Sequence, residues 1–440
     1  MEAVARPNDL YSASVGAFSE RRFDGEPDWM TGLRRDAFAR FTALGFPTTR
    51  DEAWKYTSVA PIAKTPFRPA AKDSPRFRRH APSIPLVGEG EGARFVFVNG
   101  RHAPELSGNN FGAAVVASLP KALGDHSMAI EAHLGRIAGF EKSSFSALNT
   151  AFLEDGVFVL VPRGAVVEEP IHLVFLSEAD GEPSVSNPRV LILAEANSQA
   201  RIIESHLGRG TYFSNAVTEI ACGDGAVLEH YKLQRESVSA FHVQTLAAAQ
   251  GRAARFDSHN FCLGAALART DIDVLFQAEG GECSLNGLFV TAGTQHIDNH
   301  TLVDHAKPHC TSRQFYKGIL DGKSRGVFHG KVIVRPDAQK TDAIQTNKNL
   351  LLSREALVNS TPALEILADD VKCKHGSTIG QLDAAALFYL RARGIAEEDA
   401  RAMLTYGFAA DLASRIRVPW IREEIEAFLG GRLARSSEAP

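Results

Sequence analysis

Between residues 93 and 352 the chain is a succession of short β-rich pieces, and that succession limits its fold more than any other feature. "RFVFVNG", "GVFVLVPRGAVVEEPIHLVFL", "RVLILAE", "QARIIESHLG", "GAVLEHYKLQ" and "DIDVLFQAEGGECSLNGLFVTAG" are punctuated by Gly, Asp and Asn. From 157 to 352 at most one run is long enough for a helix. Steps of roughly 8 to 12 residues predict an all-β body of well over a dozen strands. Sandwich, barrel and β-helix all satisfy that spacing, and no strict repeat singles out a solenoid. Pieces carrying Ile202 and Glu204, Leu228 and His230, or Ile272, Val274 and Phe276 suggest strands with one buried and one wet face.

The flanks read differently. "DWMTGLRRDAFARFTALGF" places Trp29, Met30, Leu33, Phe38, Phe41 and Leu44 near a 3.6-residue repeat that Gly45 and Pro47 end. Two aromatics in "DEAWKYTSVAPIAKTPF" are expected to pack that helix onto the body. Pro61, Pro66, Pro69, Pro75, Pro82 and Pro85 mark residues 61–92 as a linker or irregular wrap. After 380, "QLDAAALFYLRARG" sets Leu387, Phe388 and Leu390 on one side and stops at Gly394. The next helix aligns Ala400, Leu404, Phe408, Leu412 and Ile416 in an i, i+4 row, and "PWIREEIEAFLGG" forms a last one. The expected domains are a helical region and linker (1–92), a β core (93–360) and a helical domain (361–440).

With 44% hydrophobic and 23% charged residues, the chain can bury a large core. A net charge of -4 gives no reason to expect nucleic acid or an anionic membrane as partner. No basic and then apolar leader opens the sequence, and no run approaches the ~20 apolar residues of a membrane helix. Five widely spaced cysteines without a C-x-x-C imply reduced thiols and a cytoplasmic location.

Five groups of residues invite a chemical reading. "KGILDGKSRG" resembles a phosphate loop, but only three residues separate Gly318 from Gly322 where four are needed, and strand-like sequence follows. A hairpin turn is expected there, and no bound nucleotide. His296, His300, His305, His309 and Cys310 cluster without an H-E-x-x-H helix, which favours hydrogen-bonded histidines over a metal site. Cys222, Cys262 and Cys283 sit in apolar strands and are expected to be buried. Asp271, Asp273, Asp298 and Asp304 lie on separate pieces, and nothing in the sequence brings them together.

The fifth group is "DDVKCKHGSTIGQLD". In an extended segment Cys373 and His375 project to one face, about 6.6 Å apart at Cα. Lys372 and Lys374 would lower the thiol pKa if close in space. Two ligands are too few for a tetrahedral metal site, so any metal there needs donors from elsewhere.

"DEAWKYT", "FSALNTAFLEDGVFVLVPRG", "GVFHGKVIVRPDAQKTDAIQTNKNLLLS" and "STPALEILADDVKCKHGSTIGQLDAAALFYLRARGI" together resemble the SufB/SufD family of iron–sulfur cluster assembly proteins, with the Lys-Cys-x-His-Gly segment most like its SufD branch. The resemblance implies a right-handed parallel β-helix between helical ends. It implies a non-catalytic scaffold that pairs with a SufB subunit through the β-helix, or with itself in isolation. It further implies docking of the SufC ATPase on the C-terminal helices, for which the row Ala400, Leu404, Phe408 and Leu412 is the candidate. His375, and more weakly Cys373, would then face a transient iron–sulfur cluster shared with SufB. The competing expectation is a β-helix enzyme that acts on carbohydrate or transfers acyl groups.

Overall fold

The computed structural model describes residues 25–70, 94–179 and 181–435. Most of the expected wrap over 61–92, and the opening residues in which no leader was expected, lie outside the described residues. The β body is a parallel β-helix of about eight turns. At its start Arg94–Val98 pairs antiparallel with Arg101–His102 and Val115–Ser118 with Val157–Val161, but from Val157 onward consecutive strands do not pair with each other. His296–His305 pairs with Arg325–Val334 in one sheet, and the intervening strand Thr311–Leu320 pairs with Asp342–Leu351 in the other. Each coil thus lays one strand on each of two facing sheets. The segment read as a hairpin, 317–326, is a corner between the sheets.

Coil length varies, and that variation hides the repeat. Phe241 pairs with Leu267, 26 residues on, whereas Arg325 pairs with Leu357, 32 residues on. Corners absorb the difference without disturbing the ladders, so a structural period exists with no fixed sequence period.

Helical segments cover the outer faces. Helix α1 (Asp28–Leu44) ends at Gly45, whose φ of 63° suits glycine, and buries Met30, Ala37 and Phe41. With α2 (Ala60–Lys64) and α4 (Ser144–Ala151) it packs on Phe213, Val243 and Leu267 of one sheet, while α3 (Leu119–His133) covers a neighbouring patch. The expected irregular wrap is therefore structured at its start. Pro61 opens α2, and Arg68–Pro69 pairs with Ser184–Val185.

Three helices follow the β body: α5 (Ala384–Ala392), α6 (Glu397–Ala413) and α7 (Pro419–Arg435). Ala409, Leu412, Ile416, Ile421 and Ile425 close over Tyr231, Phe261, Leu288 and Ile319 on the outer face of the second sheet. Polar ties pin this cover: Arg401 donates to the Leu352 carbonyl at 3.0 Å, and Arg415 to Asn286 Oδ1 at 3.1 Å. The last strand, Lys372–Gly380, extends the β body past residue 360, so the helical part begins at Ala384.

The interior departs from the simple alternation expected of these strands. Glu204 and His230 share the inward face with Ile202 and Leu228, and all four are buried. Thr218 donates across the coil to Glu204 at 2.8 Å, and Thr301 to Gln314 at 2.7 Å. Gln244, Asn299, Gln314, Gln345 and Asn349 are also buried, each with one end of its amide unpaired within the protein. Left dry, five such ends cost roughly 5–15 kcal/mol, as much as a typical net stability.

Candidate functional site

The two sheets end together. Leu357–Ile366 pairs only with Arg325–Val334, and Lys372–Gly380 only with Asp342–Leu351, so each leaves one backbone edge without a strand partner among the described residues. Ser360 and Ser377 hydroxyls meet across the mouth at 2.7 Å, which places the Cys373–His375–Ser377–Ile379 face toward the interior. His375 lies beside Gln345 of the preceding coil and is exposed.

Cys373 shares that face, as the extended reading required, but in a different environment. It packs against Val332, Val334, Ala343 and Ala368. Burial and, less strongly, Asp342 push its thiol pKa up against a backbone hydrogen bond from Ala343. The expected lowering by Lys372 and Lys374 is not found, because both side chains sit on the opposite face of the strand. The geometry gives an exposed imidazole with a protonated, half-covered thiol behind it. Among the described residues no three His, Cys, Asp or Glu converge to hold a metal ion.

Around this mouth several large apolar side chains are exposed. Leu357, Leu367 and Ile379 are 44%, 55% and 52% exposed. Helix α5 is N-capped by Asp383, which accepts from Ala385 N at 2.8 Å, yet it buries no residue, and Phe388 stands 74% exposed. Large apolar side chains left this exposed are candidates for contact with a partner. A sequence signal was present in α5: Ala384–Ala392 is as apolar as a buried helix, yet it buries no residue.

The row proposed to meet the ATPase points elsewhere. Ala400 and Leu412 are fully buried, and Leu404 and Phe408 are half-buried. Leu412 and Phe408 pack on the helix's own sheet, and Lys317 donates to the Phe408 carbonyl and to Asp411. An i, i+4 row finds its partner within the chain here. The outward face of α6 carries Met403 and Tyr406.

The histidines at 296–309 have separate fates. His296 Nε2 lies 2.8 Å from the Thr57 hydroxyl, His300 Nε2 lies 3.0 Å from Asp298, and His305 is buried beside Ser312. His309 occupies a turn at φ 60°. Cys222, Cys262, Cys283 and Cys310 are buried.

Two of the four scattered aspartates do meet. Arg269 joins Asp271 at 2.7 Å to Asp298 at 3.0 Å, and its guanidinium stacks 3.8 Å over Trp54. Thr57 donates to Asp298 at 2.6 Å. Burial opposes ionisation of Asp298, but His300 and Arg269 overcome it and hold the carboxyl well below the usual range. This network fastens "DEAWKYT" to the β-helix, which is where Trp54 does its packing, while Tyr56 is exposed. Asp273 is exposed on the same sheet, and Asp304 pairs with Arg335 instead.

The chain is a parallel β-helix with helical covers and an exposed histidine at its open end, and comparison with known proteins gives the family. Residues 175–408 match the SufBD core domain of SUF system FeS cluster assembly, and residues 8–173 match the SufBD protein N-terminal region. The chain is 36% identical over 409 residues to an iron–sulfur cluster assembly SufBD family protein of Synechocystis sp., covering 89% of this chain and 88% of the relative. It is 32% identical over 394 residues to the iron–sulfur cluster assembly protein SufD of Escherichia coli, covering 88% and 90%. The SufD of Bacillus subtilis is 25% identical over 296 residues, covering 65% and 66%. The chain belongs to the SufB/SufD family, is SufD-like, and is a SUF-system subunit for iron–sulfur cluster assembly. No described helix is long and apolar enough to cross a membrane.

Proposed function

We propose that this chain is a non-catalytic scaffold subunit that pairs with a SufB-type subunit through the open end of its β-helix, and that His375 faces a nascent cluster held across that seam. The observation that carries this reading is the placement of His375: exposed, on the terminal strand, within a mouth rimmed by Leu357, Leu367 and Ile379. A lone imidazole cannot hold iron firmly. A partner chain that covers the apolar rim would exclude water and bring the remaining donors. Weak, shared ligation suits a cluster that must also leave. In isolation a second copy of this chain fits the same edges.

The SufC ATPase would dock on the outward faces of α5 and α6, through Phe388, Tyr389, Met403 and Tyr406. The inward face of α6 is occupied by the β-helix, so movement imposed on α6 would reach the coil through Lys317 and Arg415. Assembly takes place without catalysis by this chain, in the cytoplasm.

Co-expression with SufB and SufC chains tests the reading. His375→Ala should leave the assembled complex intact and lower its iron and sulfide content several-fold. Normal iron and sulfide in the assembled variant would refute the role of His375. Cleavage of a sugar polymer by the purified chain alone would refute the scaffold reading itself.

A further inference from the structure

Behind His375 the coil holds a buried acceptor without a donor. Gln345 stands directly beside His375 in the ladder of the last two coils, and both side chains project into the interior. The Gln345 amide is buried, and its Oε1 meets no donor among the described residues. The exposed His375 ring makes no hydrogen bond among the described residues, so it can turn toward that oxygen.

Neighbouring residues determine which end of the amide is left over. The Thr301 hydroxyl donates to Gln314 Oε1 at 2.7 Å, and Gln345 Nε2 donates to the same oxygen at 3.1 Å. With its nitrogen turned to Gln314, Gln345 keeps only an acceptor for the mouth. The opposite sheet gives that acceptor no donor side chain. A side chain at Gly330 would collide with the Gln345 amide nitrogen, so Gly330 makes the room in which the amide lies. Pro362 pairs with Gly330 and, counted from the Ser360–Ser377 contact, stands opposite His375. His375, one strand spacing of about 4.8 Å away, is the polar side chain that the last coil sets beside Oε1.

We propose that Gln345 positions His375: its Oε1 accepts one ring N–H, which fixes the tautomer and leaves the lone pair of the other ring nitrogen for iron. An imidazole that ligates through one nitrogen carries its proton on the other, and that N–H needs an acceptor. A reversed amide would aim its own N–H at the ring, draw the proton to the outer nitrogen and block ligation. Thr301 and Gln314 act through Gln345 by holding its amide the right way round. Loss of such an acceptor behind a ligating histidine commonly costs about 10–100-fold in metal affinity or activity. The assignment rests on His375 facing the nascent cluster.

Iron and sulfide in the complex co-expressed with SufB and SufC chains test it, beside wild type and His375→Ala. Gln345→Leu should assemble normally and lower both several-fold, and adding it to His375→Ala should lower them no further. Gln345→Glu should keep them close to the wild-type level, because a carboxylate also accepts and Gln314 can turn over to donate to it. Normal content in assembled Gln345→Leu beside low content in His375→Ala would overturn the positioning alone. So would a further fall in the double variant, or a Glu variant as low as the Leu variant. Normal content in His375→Ala would instead overturn the role of His375, and the positioning with it. If Gln345→Leu does not assemble, Thr301→Val, which removes the hydroxyl that orients Gln314, must lower iron several-fold in the intact complex or the positioning is refuted.

Discussion

Replacing Glu219 by alanine removes the acceptor on which one N-terminal cover depends. Glu219 stands on the outer face of the strand Tyr212–Cys222. Its carboxylate accepts from the backbone N–H of Gly135 at 2.8 Å and from Ile137 and Ala138 at 3.0 Å. It also pairs with Arg189, which donates at 3.0 Å to Asn149 and Thr150 of α4. Both side chains of the pair are buried, at 1% and 0% exposure. Removing one partner leaves a buried guanidinium uncompensated, which costs about 3–5 kcal/mol. Three orphaned N–H groups add to this unless water enters the space left behind. We expect a loss of at least about 4 kcal/mol, or roughly a thousandfold in the opening equilibrium. Because a solenoid is stabilised coil by coil, the loss should appear at 135–151 and not along the whole axis. Native-state hydrogen exchange of the Gly135, Ile137 and Ala138 amides would show it, with urea unfolding followed in parallel. Protection unchanged within threefold in Glu219→Ala would refute the reasoning.

Other outcomes follow from the same structure. Burial holds the pKa of His242 and of His305 down to about 4, so between pH 6.5 and 4 the unfolded chain binds more protons there than the folded one. Stability should be fully present above pH 6.5 and fall through that window, by up to about 3 kcal/mol for each ring; a flat urea midpoint would contradict this. Leu412→Ala should cost about 2–5 kcal/mol in unfolding measurements, because the side chain is in the core. Met403→Asp should leave the unfolding midpoint within about 0.5 kcal/mol of wild type but reduce co-purification of the SufC ATPase, and full retention would count against docking on that face. In the isolated chain, Cys373 should be alkylated more slowly than a free thiol at pH 8, since burial raises its pKa, and its rate should recover in urea.

Although α3 and α4 lie inside the stretch read as β core and the corner at 317–326 was read as a hairpin, local sequence marked most strands, α1 and the C-terminal helices, and the quoted motifs carried the family. Those features rest on short-range physics: β-rich runs between turn residues, a 3.6-residue stripe in α1, and glycine where φ is positive. Coil closure was not legible, because corners of unequal length change the step from 26 residues to 32 while the ladder stays in register. Nor was the direction of the Ala400–Leu412 row. An amphipathic helix seeks an apolar surface, and only the folded chain reveals that its own sheet supplies one. The same holds for Cys373 and His375. Spacing put them on one face, but the coil beneath determined that the thiol is covered and the imidazole left open.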